Sequence, residues 1–89
     1  MQRIYAIHDI TAEIYTAPFY AVNNATASRI FANAVRTPGT SIYDNPEDFR
    51  LYCIGVYDEQ SAALISHPSL EFIARASDFT VNLHTEVTE

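Results

Sequence analysis

The fifteen residues from Asp44 to Asp58, Asp-Asn-Pro-Glu-Asp-Phe-Arg-Leu-Tyr-Cys-Ile-Gly-Val-Tyr-Asp, constrain the fold more than any other stretch. Asn45 is placed to cap a single helical turn, with Pro46 at its first position and the acidic Glu47 and Asp48 behind it. From Phe49 the period changes to two. Phe49, Leu51, Cys53, Gly55 and Tyr57 alternate with Arg50, Tyr52, Ile54, Val56 and Asp58, and both sets are largely apolar. A strand of that kind is central, covered on one face and at least half covered on the other. A short turn, then a strand that needs neighbours on both sides, sets the plan for everything else.

The rest of the chain supplies those neighbours. Arg3 to Ile10 alternates and is rich in Ile and Tyr, a first strand. Thr11 to Glu13 turns the chain, and Ile14 to Val22 is extended again. Pro18 removes a ladder donor there, which puts the segment on an edge or in a bulge. A helix follows over about 24–36. Asn23 or Asn24 caps it, and Ala27, Ile30, Phe31, Ala34 and Val35 form its apolar stripe with Phe31 at the centre. Thr37-Pro38-Gly39 ends it, and Thr40 to Asp44 reads as a loop. After a hairpin turn at Asp58 to Ser61, Ala62 to Ser66 returns as a short antiparallel strand, broken by His67-Pro68-Ser69. Leu70 to Phe79 fits a short C-terminal helix capped by Ser69, with an irregular strand as the alternative. The expectation is one α+β domain over 3–80, an antiparallel sheet of about four strands with the main helix on one face. Residues 81–89 form a polar tail expected to fray.

With 89 residues there is room for one modest core, burying roughly 60 to 65 per cent of the unfolded surface. The single cysteine allows no intrachain disulfide, which suits a reducing compartment. No apolar run reaches the length of a membrane span, and the N-terminus lacks signal-peptide character, so a soluble, intracellular protein is expected. A small core, a central strand apolar on both faces and more aromatic surface than one short helix covers together predict a homodimer.

Catalysis finds no support in the pattern. His8, His67 and His84 lie on separate segments without a Cys or acidic partner at metal-ligand spacing. Gly39 and Gly55 are the only glycines, too few for a phosphate loop, and Cys53 reads as a small packed residue. No cofactor, no metal and no catalytic residue are expected, and Asn24-Ala25-Thr26 reads as a helix cap rather than a glycosylation site.

What remains is arginine and tyrosine. All five cations are arginine and eleven acids bring the net charge to −6, which excludes broad electrostatic capture of nucleic acid but leaves room for a local patch. Tyr5, Tyr15, Tyr20, Tyr52 and Tyr57 fall on strands, interleaved with Arg3 and Arg50. Rings on bases beside arginines on phosphates are how sheets hold single strands. The simpler physical reading is that the tyrosines cover a half-buried face or a dimer seam. Arg29, Asn33 and Arg36 share the polar face of the helix, a solvated face or a phosphate-contacting stripe.

Short motifs carry a likeness along the chain. Ile4-Tyr5-Ala6-Ile7-His8-Asp9, then Ala17-Pro18-Phe19 with Asn24, Ala27, Arg29 and Phe31, then Pro46-Glu47-Asp48-Phe49 with Leu51-Tyr52, Gly55 and Tyr57-Asp58, together resemble the small non-structural protein of gokushovirus-type microviruses. The resemblance spans about residues 3–80. It departs at the hairpin, where Gln60-Ser61-Ala62 replaces a glycine-containing turn, and the chain has no lysine. It implies a non-catalytic protein of the host cytoplasm, outside the virion, that binds single-stranded viral DNA and regulates genome replication and packaging. Arg29, at the matched basic position, becomes the first phosphate-contact candidate. Arg36, Asn33, Arg50, Arg3 and Tyr52 follow on chemical grounds. The reading from another class is a protein–protein adaptor that binds a phage replication or capsid protein without touching DNA.

Overall fold

The computed structural model describes residues 1–80; the expected C-terminal tail, 81–89, lies outside the described residues. Strand β1 spans Gln2–Asp9, β2 Ile14–Tyr15 and β3 Phe19–Ala21, followed by helix α1 at Asn24–Val35. A short helix α2 (Ser41–Asp44) and a 3-10 turn (Pro46–Asp48) lead into β4 at Phe49–Asp58. Strand β5 (Ala63–Arg75) and a second 3-10 turn (Ala76–Phe79) complete the described chain. The strands form one antiparallel sheet in the order β2-β1-β4-β5, with β3 also on the outer edge of β1. The class is α+β, as the alternation of patterns predicts.

Pro18 does what its missing donor requires. It sits in the gap between β2 and β3, so β1 is paired on either side of it and no ladder bond is lost at it. Strand β4 is central and pairs with β1 over nearly its whole length. Its Phe49, Leu51 and Cys53 are buried under α1, while Arg50, Tyr52 and Ile54 are half-covered.

Helix α1 begins at Asn23, whose Oδ1 accepts the Thr26 amide at 2.8 Å. Ala27, Phe31 and Val35 are buried as their spacing predicts, and Phe31 is 0% exposed. The spacing puts Ile30 in that stripe, but it is 44% exposed and Ala32 is buried instead, so the buried face is turned around the helix away from Ile30 and towards Ala32. The core joins these residues to Tyr5, Ile42, Phe49, Leu51, Cys53 and Ala74.

Several local expectations change. Thr40 to Asp44 is no loop: Thr40 Oγ1 accepts the Tyr43 amide at 3.1 Å and caps α2. Asn45 makes no side-chain cap to the turn at Pro46; its Nδ2 reaches back to Ser41 O at 3.4 Å. The largest correction is at the C-terminal side. Residues 70–75 are strand, not helix, and β5 runs through His67-Pro68-Ser69. Cys53 pairs with Glu71 but Gly55 pairs with Ser66, so 67–70 lie opposite Ile54 alone. Pro68 falls inside that bulge, where no ladder donor is needed. Only 76–79 turn, and as a 3-10 helix.

The β1–β4 ladder shifts at the same place. Tyr5 opposes Cys53, but Ile4 opposes Gly55. The two-residue alternation of β4 therefore changes face at Ile54, and Tyr57 packs against Tyr20 instead of following Cys53 inward.

Candidate functional site

One face of the sheet is covered by α1; the other has no helix on it among the described residues. On this open face, side chains fall in rows across the strands, because residues directly opposite in register point the same way. His8 on β1 opposes Tyr15 on β2 and Arg50 on β4, and Arg50 opposes Arg75 on β5. In the next row Ala6 opposes Tyr52, which opposes Phe72. A row that carries two arginines, Arg50 and Arg75, thus runs beside one that carries two rings, Tyr52 and Phe72.

The rings form one connected cluster. His8 and Tyr15 stack at 4.3 Å, and Tyr52 meets both edge-on at 6.2 and 6.1 Å. Tyr52 also meets Phe72 at 5.9 Å. Tyr15 remains 46% exposed and Phe72 49%, so both ends of the cluster offer open ring surface. Tyr20 and Tyr57 continue the face towards the far end at 5.7 Å, above a shallow apolar groove lined by Ile4, Pro18, Ile54 and Leu64. Arg50 Nη1 donates to Glu47 O at 3.2 Å, which anchors one end of its guanidinium and leaves its remaining donors available.

The predicted residues divide between surfaces. Tyr52 and Arg50 belong to the open face. Arg3 does not. Its Nε donates to the Tyr5 hydroxyl at 3.0 Å and its Nη2 to Glu71 Oε1 at 2.6 Å, on the helix side. Tyr5, counted above among stacking rings, is 0% exposed; its hydroxyl donates to Asn24 Oδ1 at 2.6 Å, and burial pushes its pKa up. Arg29 and Asn33 are exposed on α1. Arg36 is exposed too, but its Nε donates to Phe79 O at 2.8 Å, so it holds the second 3-10 turn against α1.

Sequence reasoning missed His8, Phe72 and Arg75. Their membership depends on β5 being a strand and on its register, neither of which the His-Pro-Ser break suggested. It also missed a second gathering on the helix side of the sheet. Cys53 Sγ lies 3.5 Å from His67 Nε2, and a Glu71 carboxylate oxygen lies within 4.8 Å of both.

These features define a small open-faced sheet protein: one antiparallel layer, backed by a helix on one side and presenting aromatic and arginine rows on the other. The chain belongs to the phage ORF5 protein family, whose model matches residues 2–79. No curated protein and no solved structure matches it. Among the described residues no helix is long and apolar enough to cross a membrane.

Proposed function

We propose that this phage protein is a non-catalytic regulator that binds single-stranded DNA on the open face of its sheet, as the resemblance to the microvirus non-structural protein implies. On this reading it acts on the viral genome in the host cytoplasm and stays outside the virion. The observation that supports it is the pairing of rows: Tyr15, His8, Arg50 and Arg75 beside Tyr52 and Phe72. Exposed rings give every base a surface to stack on, and the adjacent guanidinium groups give phosphates bidentate donors. A net charge of −6 opposes long-range capture, so affinity depends on these short-range contacts and is modest.

The test is fluorescence anisotropy with a labelled oligothymidylate. Each stacked base is worth about 1–3 kcal/mol, so Tyr52→Ala or Phe72→Ala should weaken binding by roughly fivefold or more. An unchanged affinity in both variants, or no binding by the parent protein, overturns the proposal.

A second reading has its own observation. Leu64, Ile65, Leu70 and Phe72 on the edge strand β5 are all exposed. That apolar edge suits a protein seam, in a homodimer or against a replication or capsid protein. Sedimentation equilibrium at micromolar protein should give twice the chain mass if the seam is a dimer, and a monomer excludes that form of it.

A further inference from the structure

The bulge in β5 has a chemical result. Were β5 regular, His67 would pair with Ile54 and Pro68, not Glu71, would stand opposite Cys53. Because 67–70 loop out opposite Ile54, His67 returns to the thiol of Cys53 while Glu71 pairs directly with it. Thiol, imidazole and carboxylate meet at one point. The donor atoms all lie within 4.8 Å of one another, and Sγ and Nε2 are 3.5 Å apart. Around a tetrahedral ion with bonds of about 2.0–2.3 Å, neighbouring ligand atoms are separated by roughly that last distance.

The geometry points to a site for a zinc-class divalent ion held by Cys53 Sγ, His67 Nε2 and one carboxylate oxygen of Glu71. The donor set is mixed soft and borderline, which favours Zn²⁺ over Mg²⁺ or Ca²⁺. Three protein ligands leave a fourth position for water, on the half-exposed His67 and exposed Glu71 side. The carboxylate is already oriented. Arg3 holds Oε1 at 2.6 Å, and Oε2, whose only partner among the described residues is a long 3.5 Å contact from Asn24, is the oxygen free to turn to the ion. An oxygen held in this way keeps a ligating carboxylate in place. Binding an ion there would tie the bulge of β5 to the centre of β4 and release the thiol proton.

The test uses the metal alone on the reduced, chelator-treated full chain. Cobalt(II) serves as the spectroscopic substitute for zinc. Cys53 is the only cysteine, so a thiolate-to-cobalt charge-transfer band can come from no other residue of the chain. The expected result is that band at micromolar cobalt, with intense tetrahedral visible absorption that zinc abolishes. His67→Gln should weaken binding at least 10-fold and Glu71→Gln should also weaken it. Zinc should raise the melting temperature of the parent protein but not of His67→Gln. Because Cys53 is buried in the core, Cys53→Ser is read only after circular dichroism shows it folded; the half-exposed His67→Gln carries the test otherwise. No charge-transfer band in the parent protein overturns the proposal. So does a band that survives unchanged in both His67→Gln and Glu71→Gln.

Discussion

Arg50 of β4 and Arg75 of β5 face each other directly across the antiparallel ladder. Like charges so placed destabilise a strand pair, and neither guanidinium has an acidic partner among the described residues. Such a pair is relieved by an anion. If phosphates supply it, each neutralised charge contributes about 0.7 to the slope of log affinity against log salt on single strands. Replacing both arginines by glutamine should flatten that slope by roughly 1.4 per protomer while leaving thermal stability unchanged or slightly raised. A slope that does not move would place the contact elsewhere.

The helix offers the alternative, and its two arginines are not equivalent. Arg29 and Arg36 lie about 10 Å apart along the axis, but among the described residues only Arg36 has a side-chain hydrogen bond to the rest of the protein, to Phe79 O. Arg29→Gln should therefore leave stability within about 0.5 kcal/mol of the parent. Arg36→Gln should lower it by about 0.5–1.5 kcal/mol, the value of one hydrogen bond. If α1 is the DNA surface, Arg29→Gln alone flattens the salt slope by about 0.7; if the sheet is, the slope stays put.

Phe31 sits at the middle of the buried face of α1 and meets Phe79 edge-on at 5.9 Å. Phe31→Ala should cost about 3–5 kcal/mol in chemical denaturation, a large share of the stability of so small a domain. A loss under about 1 kcal/mol would mean that the cavity collapses freely.

Two positions near the hairpin both favour glycine, for different reasons. A Cβ at Gly55 would land on the Ile65 carbonyl oxygen, backbone that cannot step aside, so Gly55→Ala should destabilise by about 1–3 kcal/mol or more. Ala62, where the resembled family carries a glycine-containing turn, is left-handed at φ 64°. That conformation costs an L-residue about 1–2 kcal/mol, more than the roughly 0.4–1 kcal/mol of chain entropy that glycine adds to the unfolded state. Ala62→Gly should thus raise the denaturation midpoint. A lowered midpoint would show that the turn carries no strain.

Tyr5 predicts an alkaline limit. Its buried hydroxyl keeps its proton above the ordinary value of 10.0, burial being the dominant cause, against the opposing pull of Arg3. Unfolding releases it to ionise normally. Its contribution to stability is whole below pH 10 and declines as pH rises from there through the raised folded value. In Tyr5→Phe this part of the alkaline decline should vanish. Ultraviolet titration of the six tyrosines should show one ionising last in the parent and absent from the variant. A titration with no late component would contradict the burial argument.

Period-two alternation from Phe49 to Cys53 and period-3.6 spacing from Ala27 to Val35 were enough to place the two main layers, because each pattern has one burial solution. Pro18 marked an edge correctly for the same local reason. The bulge was beyond such reasoning. His67-Pro68-Ser69 has the composition of a strand end, and only pairing with β4 keeps the chain extended through it. A strand that ends at Ser66 gives Arg50, Tyr52 and Cys53 no partners on that side. Half of the open face and all of the Cys53 cluster went with them. Tyr5 was misplaced for a different reason: tyrosine suits both a wet face and a core with one polar partner, and Asn24 is that partner.

The order of the strands also sets a timetable for synthesis. β1 is made first, and of its two edges only one can be filled early, by β2 and β3. Its other edge waits for β4, the next strand of the sheet, which comes after both helices. A nascent chain stopped before Phe49 therefore leaves the ribosome as a small hairpin with its inner edge open, free to pair with any neighbouring chain. At about 5–20 residues per second, roughly half a second to two seconds more of translation adds the ten residues of β4 that close it.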